Sequence, residues 1–145
     1  MDLKHGKYLG VDYGDKRTGL AECDLGGTLA SGIATISEGG MNKTAIRVAK
    51  EAEARDCKKI VIGLPRNMDG TEGERAEVVR AFAALVSEHT DIPIDFADER
   101  MSTMAAYRFL DGSGTFGKRR REVIDTLSAE LILQNYIDRE RNTLK

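Results

Sequence analysis

Apolar and polar positions along the chain follow two different periods, which divide it into strands and helices. Short apolar or alternating runs bounded by Gly, Pro or charged residues are typical of strands. Runs of this kind predict five strands, at residues 7–13, 19–24, 28–36, 60–62 and 91–99. Because only short turns separate the first three, we expect them to form an antiparallel meander. The unbroken apolar run of the fourth strand suits a parallel strand that is covered on both faces.

Apolar residues at helical spacing fill most of the intervals between these strands. They predict helices over residues 42–55, from about 71 onward, over 102–110 and over 122–141. Thr71 is expected to cap the second helix, since Glu74 follows it at capping-box spacing. Three strands followed by alternating helices and strands predict an α/β fold. We therefore expect a mixed five-stranded sheet flanked by helices, in a single domain over residues 1–145.

Cysteine content, hydropathy and net charge indicate the cellular compartment and the partners to expect. Cys23 and Cys57 are too few for a disulfide framework, which favours a reducing cytosol, and we expect a cytoplasmic protein. No apolar run is long enough to span a bilayer, so we expect no membrane partner. The formal net charge of -2 gives no general support for binding to nucleic acid. Such binding would depend on local clusters of cations.

Two acidic residues come at the ends of predicted strands. Asp12 closes the first strand and Glu99 closes the fifth. Because ligands of open α/β sheets bind beyond the carboxyl ends of the strands, the two carboxylates would converge if these strands lie parallel and close together. Either acid alone is equally well explained as a solvated loop residue. The pair carries more information than either member.

A third acid lies within an apolar helical stripe. Asp125 shares one face of the last helix with Ala129, Ile132 and Tyr136. The helix dipole explains an acid in the first turn, but it does not explain an acid that faces inward. Three converging carboxylates repel one another unless a cation neutralises them. Oxygen ligands favour Mg²⁺ or Mn²⁺, and a metal site of this kind is a recurring means of cleaving phosphodiesters.

Cations and one amide accompany these acids or follow the strand ends. Each is typical of a solvated surface when taken singly. Their repeated placement indicates that they position phosphates around a metal site. The residues are Lys16, Arg17, Arg66, Asn67, Arg100, Lys118 and Arg119. The helix that begins near Thr71 is a further candidate for holding a phosphate.

Four motifs that occur in order along nearly the whole chain resemble the YqgF family, also called RuvX-like, of the ribonuclease H-like superfamily. The motifs are GVDYG with KR and GLA (10–21), VIGLP with NMDGT (61–71), DER with ST (98–103) and DTLSA with IL (125–133). One of them alone would be a weak signal. Together they are specific.

The resemblance implies a ribonuclease H-like fold and a bacterial cytoplasmic, metal-dependent nuclease that matures the 5′ end of pre-16S ribosomal RNA. The acids of the family correspond to Asp12, Glu99 and Asp125. The related RuvC-type junction resolvases have an acid on the strand that here ends in Gly63, Leu64 and Pro65, and a second helical acid where this chain has Ser128. With fewer acids than those relatives, this chain leaves the number of metal ions open.

Other interpretations stay open at this point. Branched DNA is an alternative substrate, as for a Holliday junction resolvase. The GVDYG motif also resembles the first phosphate loop of actin-like ATPases, although the chain is short for their second lobe. A non-catalytic ribosome-assembly factor is a fourth possibility, and both a monomer and a homodimer are compatible with the sequence. Because the pI of about 5.8 is acidic, we expect a ribosomal particle to present the RNA.

Overall fold

The computed structural model describes residues 6–67, 69–98 and 117–143, and within the last helix it describes side chains from 126 to 142. The strands are β1 (Tyr8–Asp12), β2 (Thr18–Cys23), β3 (Ala30–Ile36), β4 (Lys59–Leu64) and β5 (Ile94–Asp98). The helices are α1 (Met41–Ala54), α2 (Glu74–Ser87) and α3 (Gly117–Thr143).

The five strands form one mixed sheet in the order β3-β2-β1-β4-β5. Strand β2 pairs antiparallel with both β1 and β3, which confirms the predicted meander. Strand β4 pairs parallel with β1 on one side and with β5 on the other. The predicted α/β class and the five-stranded sheet are therefore both confirmed.

Each face of the sheet is covered by helices. Leu9 and Val11 of β1 belong to the core shared with α1 and α2, whereas Tyr8 belongs to the core shared with α3. In β4, Ile60 and Val61 are fully buried in these two opposite cores. The unbroken apolar run of β4 thus arises because water reaches neither face of the strand.

The start of α2 differs from the prediction. The helix begins at Glu74, and its N-cap is Gly73, which makes no side-chain capping bond. The Thr71 hydroxyl instead accepts a hydrogen bond from Asn67 Nδ2 (2.9 Å) and donates one to Asp69 Oδ1 (2.7 Å). The predicted cap was wrong because Thr, Asn and Asp also satisfy one another within a turn, which sequence spacing alone does not reveal.

The start of the last helix also differs. Helix α3 begins at Gly117, five residues before the predicted position 122, so the basic residues 118–121 are helical. Apolar spacing missed this first turn because it consists of Gly and cations. The predicted short helix at 102–110 lies outside the described residues. Within the described ranges, no helix is long and apolar enough to cross a membrane.

Candidate functional site

The carboxyl ends of three neighbouring parallel strands define one edge of the sheet, which we call the carboxyl edge: the ends of β1, β4 and β5. Asp12 is the last residue of β1. Val11 pairs with Ile62, so Asp12 is level with Gly63, the next residue of β4. Gly63 in turn pairs with Ala97 of β5. Asp12, Gly63 and Ala97 thus form a row across the sheet at this edge.

The side chain of Asp12 faces α3. Alternate residues of a strand point to opposite faces, and Leu9 and Val11 face α1 and α2. Tyr8 faces α3, and a Cβ added at Gly10 would meet Leu133 of α3. Asp12 continues this second series and is half-buried. A carboxylate in that position needs a cation or hydrogen-bond donors to offset its desolvation.

Helix α3 runs antiparallel to β1, which brings its first half to the carboxyl edge. Tyr8 Oη donates a hydrogen bond to Glu140 Oε1 (2.9 Å), whereas Gly10 lies against Ala129 and Leu133. Two further strand residues advance about 6.6 Å, the rise of about four helical residues. The part of α3 that precedes Ala129 is therefore the part nearest the carboxyl edge.

Gly10 permits this close approach of helix and strand. A Cβ at this position would lie 2.8 Å from the Leu133 Cβ atom and 3.1 Å from the Ala129 carbonyl oxygen. Those distances are shorter than normal contacts, so any larger residue would push α3 outward. The glycine in the GVDYG motif thus has a packing role two residues before the acid.

The loop that follows Asp12 is held in place from α2. Arg75 donates hydrogen bonds to the Tyr13 carbonyl oxygen (3.0 Å) and to Asp15 Oδ1 (2.9 Å), and its guanidinium lies 5.5 Å from the Tyr13 ring centre. The Tyr13 ring stacks on buried Phe82 of α2, with centroids 4.2 Å apart. Sequence analysis missed Arg75, because no local pattern links the second residue of α2 to a loop 60 residues earlier.

The turn within this loop is tight. A Cβ at Gly14 would overlap the Arg17 carbonyl oxygen, so only glycine fits there. Lys16 is exposed and Arg17 is half-buried in the same turn. The Ser37 hydroxyl donates to the Lys16 carbonyl oxygen (2.8 Å), which ties the turn to the end of β3. Both predicted cations therefore follow Asp12 directly on an anchored turn.

Two more predicted residues follow the neighbouring strand β4. Arg66 and Asn67 are exposed just beyond its carboxyl end. Arg66 Nη1 lies 3.5 Å from the Gly70 carbonyl oxygen, and its Nη2 lies 3.9 Å from a Glu72 carboxylate oxygen. These contacts are long, and the guanidinium remains accessible to an anion. The structure thus places cations beyond both β1 and β4.

The start of α2 is poorly suited to the phosphate expected there. Glu72 precedes the helix, and Glu74 and Glu77 occupy its first turn. Arg80 makes a bidentate ion pair with Glu72, with both N–O distances at 2.9 Å. That ion pair lowers the pKa of Glu72. The carboxylates already supply the negative charge that a helix N-terminus attracts, and they would repel a phosphate.

The opposite end of α3 is anchored by a polar network. Lys59 Nζ donates to Tyr136 Oη (2.7 Å), which donates to Asp95 Oδ2 (2.6 Å). Lys59 Nζ also lies 3.3 Å from Glu140 Oε2. Burial raises the pKa of Tyr8 to about 12, and burial together with the bond to Asp95 raises the pKa of Tyr136. The network fixes α3 on the sheet far from the carboxyl edge.

Several predicted site residues are not described by the structure. Glu99 and Arg100 lie outside the described residues, and the side chains of Lys118, Arg119 and Asp125 are likewise not described. Among the described residues, no group of three or more His, Cys, Asp and Glu side chains could hold a metal ion. Asp12 is the described member of the predicted ligand set. A carboxylate supplies the oxygen ligand that Mg²⁺ and Mn²⁺ prefer, so Asp12 fits such a cation.

Solved structures show the class of fold. Thermus thermophilus RuvC, in complex with a Holliday junction substrate, aligns with a TM-score of 0.57 at 11% identity, over 96% of this chain and 98% of RuvC. Fowlpox virus resolvase aligns with a TM-score of 0.51 at 11% identity, over 96% of this chain and 99% of the resolvase. The fold is thus the ribonuclease H-like fold of these resolvases.

Sequence comparison then identifies the family. The RuvX profile, described as Holliday junction resolvase, matches residues 6–139, and the chain belongs to that family. A Heliobacterium modesticaldum protein is 42% identical over 91% of this chain and 89% of its own length. A Clostridioides difficile protein is 41% identical over 95% of this chain and 98% of its own length. Both relatives carry the name "putative pre-16S rRNA nuclease".

Proposed function

We propose that this chain is a single-domain, cytoplasmic, metal-dependent endonuclease that matures the 5′ end of pre-16S ribosomal RNA. The observation that carries the proposal is the half-buried Asp12, which faces α3 at the carboxyl edge, where α3 runs antiparallel to β1. Membership of the RuvX family and the names of the relatives supply the reaction class and the substrate.

In this proposal Asp12, Glu99 and Asp125 hold Mg²⁺ or Mn²⁺. The bound cation would lower the pKa of a water molecule and offset the charge of the leaving oxygen. Asp12 contributes a carboxylate whose position is fixed on both sides. Before it, β1 is held in the sheet, and after it Arg75 restrains the loop. Such preorganisation matters because a misplacement of about 1 Å costs a large part of the rate.

The cations around the carboxyl edge would bind the RNA backbone. Lys16 and Arg17 follow Asp12, and Arg66 and Asn67 follow β4, so the two pairs flank the strand ends. Contacts to phosphate position a nucleic acid without reading its bases. We include Arg100, Lys118 and Arg119 in this set. With few such cations on an acidic chain, a ribosomal particle would supply the remaining affinity and the choice of cleavage position.

The test is cleavage of a precursor RNA that spans the 5′ end of 16S rRNA, beside a branched DNA of similar size, with Mg²⁺, with Mn²⁺ and with a chelator. We expect cleavage of the RNA only when a metal ion is present. Asp12→Asn should lower the rate more than about 100-fold, since even groups that only support a metal ligand contribute about 10–100-fold. Asp91→Asn, the same change at an exposed acid before β5, is the matched control and should cleave normally.

Branched DNA is the second candidate substrate. It is favoured by the description of the RuvX family and by the junction bound to the RuvC structure of the same fold. Preferential cleavage of the branched DNA would replace the RNA assignment. RNA binding without cleavage, unchanged by Asp12→Asn, would indicate a non-catalytic assembly factor. ATP hydrolysis would support the actin-like alternative.

A further inference from the structure

Ser128 has a buried hydroxyl with no hydrogen-bond partner among the residues that the structure describes. It lies on α3 with 1% of its surface exposed. The structure describes two other buried Ser or Thr residues, and the side-chain hydroxyl of each has a hydrogen-bond partner. Thr44 Oγ1 donates to the Gly40 carbonyl oxygen (2.8 Å), and Thr18 Oγ1 accepts from the Gly14 amide (3.4 Å). Because a buried unpaired hydroxyl is costly, the exception at Ser128 requires a physical reason.

The position of Ser128 points to the carboxyl edge. The residue lies within the buried stripe of α3, beside Ala129, which contacts Gly10 of β1. It directly precedes Ala129, and because α3 runs antiparallel to β1, it lies on the side of this contact that leads toward Asp12. Gly63 and Ala97 lie beside Asp12 in the same row across the sheet. Neither carries a polar side chain, and both are small.

We propose that Ser128 Oγ is part of the cation site, where it accepts a hydrogen bond from the water molecules around the ion. This inference rests on the proposed function. Mg²⁺ keeps several of its waters when it binds to protein, and their hydrogens need acceptors. A neutral hydroxyl accepts such a bond without adding another negative charge to the site. Ser128 is thus a positioning residue, and its hydroxyl is unsatisfied only while no ion is bound.

Two readouts that change in opposite directions test the proposal. Ser128→Ala removes an unsatisfied hydroxyl, so the melting temperature without metal should stay constant or rise by about 2–4 °C. The same variant should weaken Mn²⁺ binding about 10-fold, as expected for a group that supports a bound metal indirectly. Calorimetric titration with Mn²⁺ measures the affinity, and melting curves with and without Mn²⁺ measure the stability.

Thr44→Val is the matched control, because it removes a buried hydroxyl that has a partner and that belongs to α1, the helix on the opposite face of the sheet from α3. It should lower the melting temperature and leave Mn²⁺ affinity unchanged. If Ser128→Ala binds Mn²⁺ as tightly as wild type while Asp12→Asn loses binding, the role of Ser128 is overturned and the metal site stands. If wild type itself binds no Mn²⁺, the proposed function and this inference fail together.

Discussion

Gly10 determines how closely α3 approaches β1, and its effect can be measured directly. Gly10→Ala would place a Cβ 2.8 Å from Leu133 Cβ and 3.1 Å from the Ala129 carbonyl oxygen. We expect the free energy of unfolding to fall by about 1–3 kcal/mol, as for other overpacked cores. Urea unfolding provides the measurement.

The control for Gly10 is Gly39→Ala, because no atom lies within 4 Å of a Cβ added at Gly39. This variant should be neutral or slightly stabilising, since alanine reduces the entropy of the unfolded chain. Equal losses of stability in both variants would show that the contact with α3 is not the cause.

At the scale of elements, Arg75 joins α2 to the loop that follows Asp12. Arg75→Ala removes a hydrogen bond to the Tyr13 carbonyl oxygen, an ion pair with Asp15 and a contact with the Tyr13 ring. Because the Arg75 side chain is 42% exposed, we expect a loss of only about 1 kcal/mol in unfolding free energy. The cleavage rate should fall more than stability does, since the loop carries Lys16 and Arg17.

Asp15→Asn separates the ion pair from the other contacts of Arg75. The Asp15 side chain is 78% exposed, so solvent screens its charge, and this variant should retain nearly all of the stability. Chemical unfolding and cleavage assays on both single variants and the double variant measure the coupling. A loss for Asp15→Asn as large as that for Arg75→Ala would assign the effect to the ion pair alone.

The anchored end of α3 predicts a loss of stability at alkaline pH. Burial raises the pKa of Tyr8 from 10.0 to about 12, and the pKa of Tyr136 is raised as well. The folded state therefore holds these protons more tightly than the unfolded state. Their contribution is fully present below pH 10 and is lost as the pH rises toward about 12. Urea unfolding between pH 8 and 12 measures this decline.

The Tyr8→Phe variant isolates the contribution of Tyr8 to that decline. Its phenol donates a hydrogen bond to Glu140, and ionisation would remove the donor. The variant should start from a lower stability at pH 8 and then decline less steeply between pH 10 and 12. An unchanged slope would mean that other groups cause the alkaline loss.

At the scale of the whole molecule, charge predicts weak and salt-sensitive binding of RNA. The chain has a net charge of -2, and the cations predicted to contact phosphates are confined to a few positions around the carboxyl edge. Lys16→Ala should weaken binding for all sequences alike. It should also reduce the slope of log affinity against log salt by about 0.7, the value for one contact to a single strand. Fluorescence anisotropy from 50 to 200 mM salt is a suitable measurement.

Lys50→Ala is the control for this experiment, because Lys50 is exposed on α1, which covers the face of the sheet opposite α3. It carries the same change in net charge and should leave the slope unchanged. A similar reduction for both variants would show that overall charge, rather than the carboxyl edge, governs binding.

The sequence by itself determined the strands, the parallel character of β4 and the acid at the end of β1. These features follow from short-range periodicity and from turn residues, which act over a few positions. The local capping of α2 and the start of α3 were misjudged, because several polar residues competed for the same bonds and the first turn of α3 has no apolar face. Glu99 and the side chain of Asp125 remain predictions.

Only the tertiary structure decided the strand order and the antiparallel path of α3 along β1. It also decided that Arg75 restrains the loop after Asp12 and that the Ser128 hydroxyl is buried with no partner in the described part of the chain. Each of these features joins residues that are far apart in the chain. Such contacts depend on how complete elements pack, and local sequence patterns do not encode that packing.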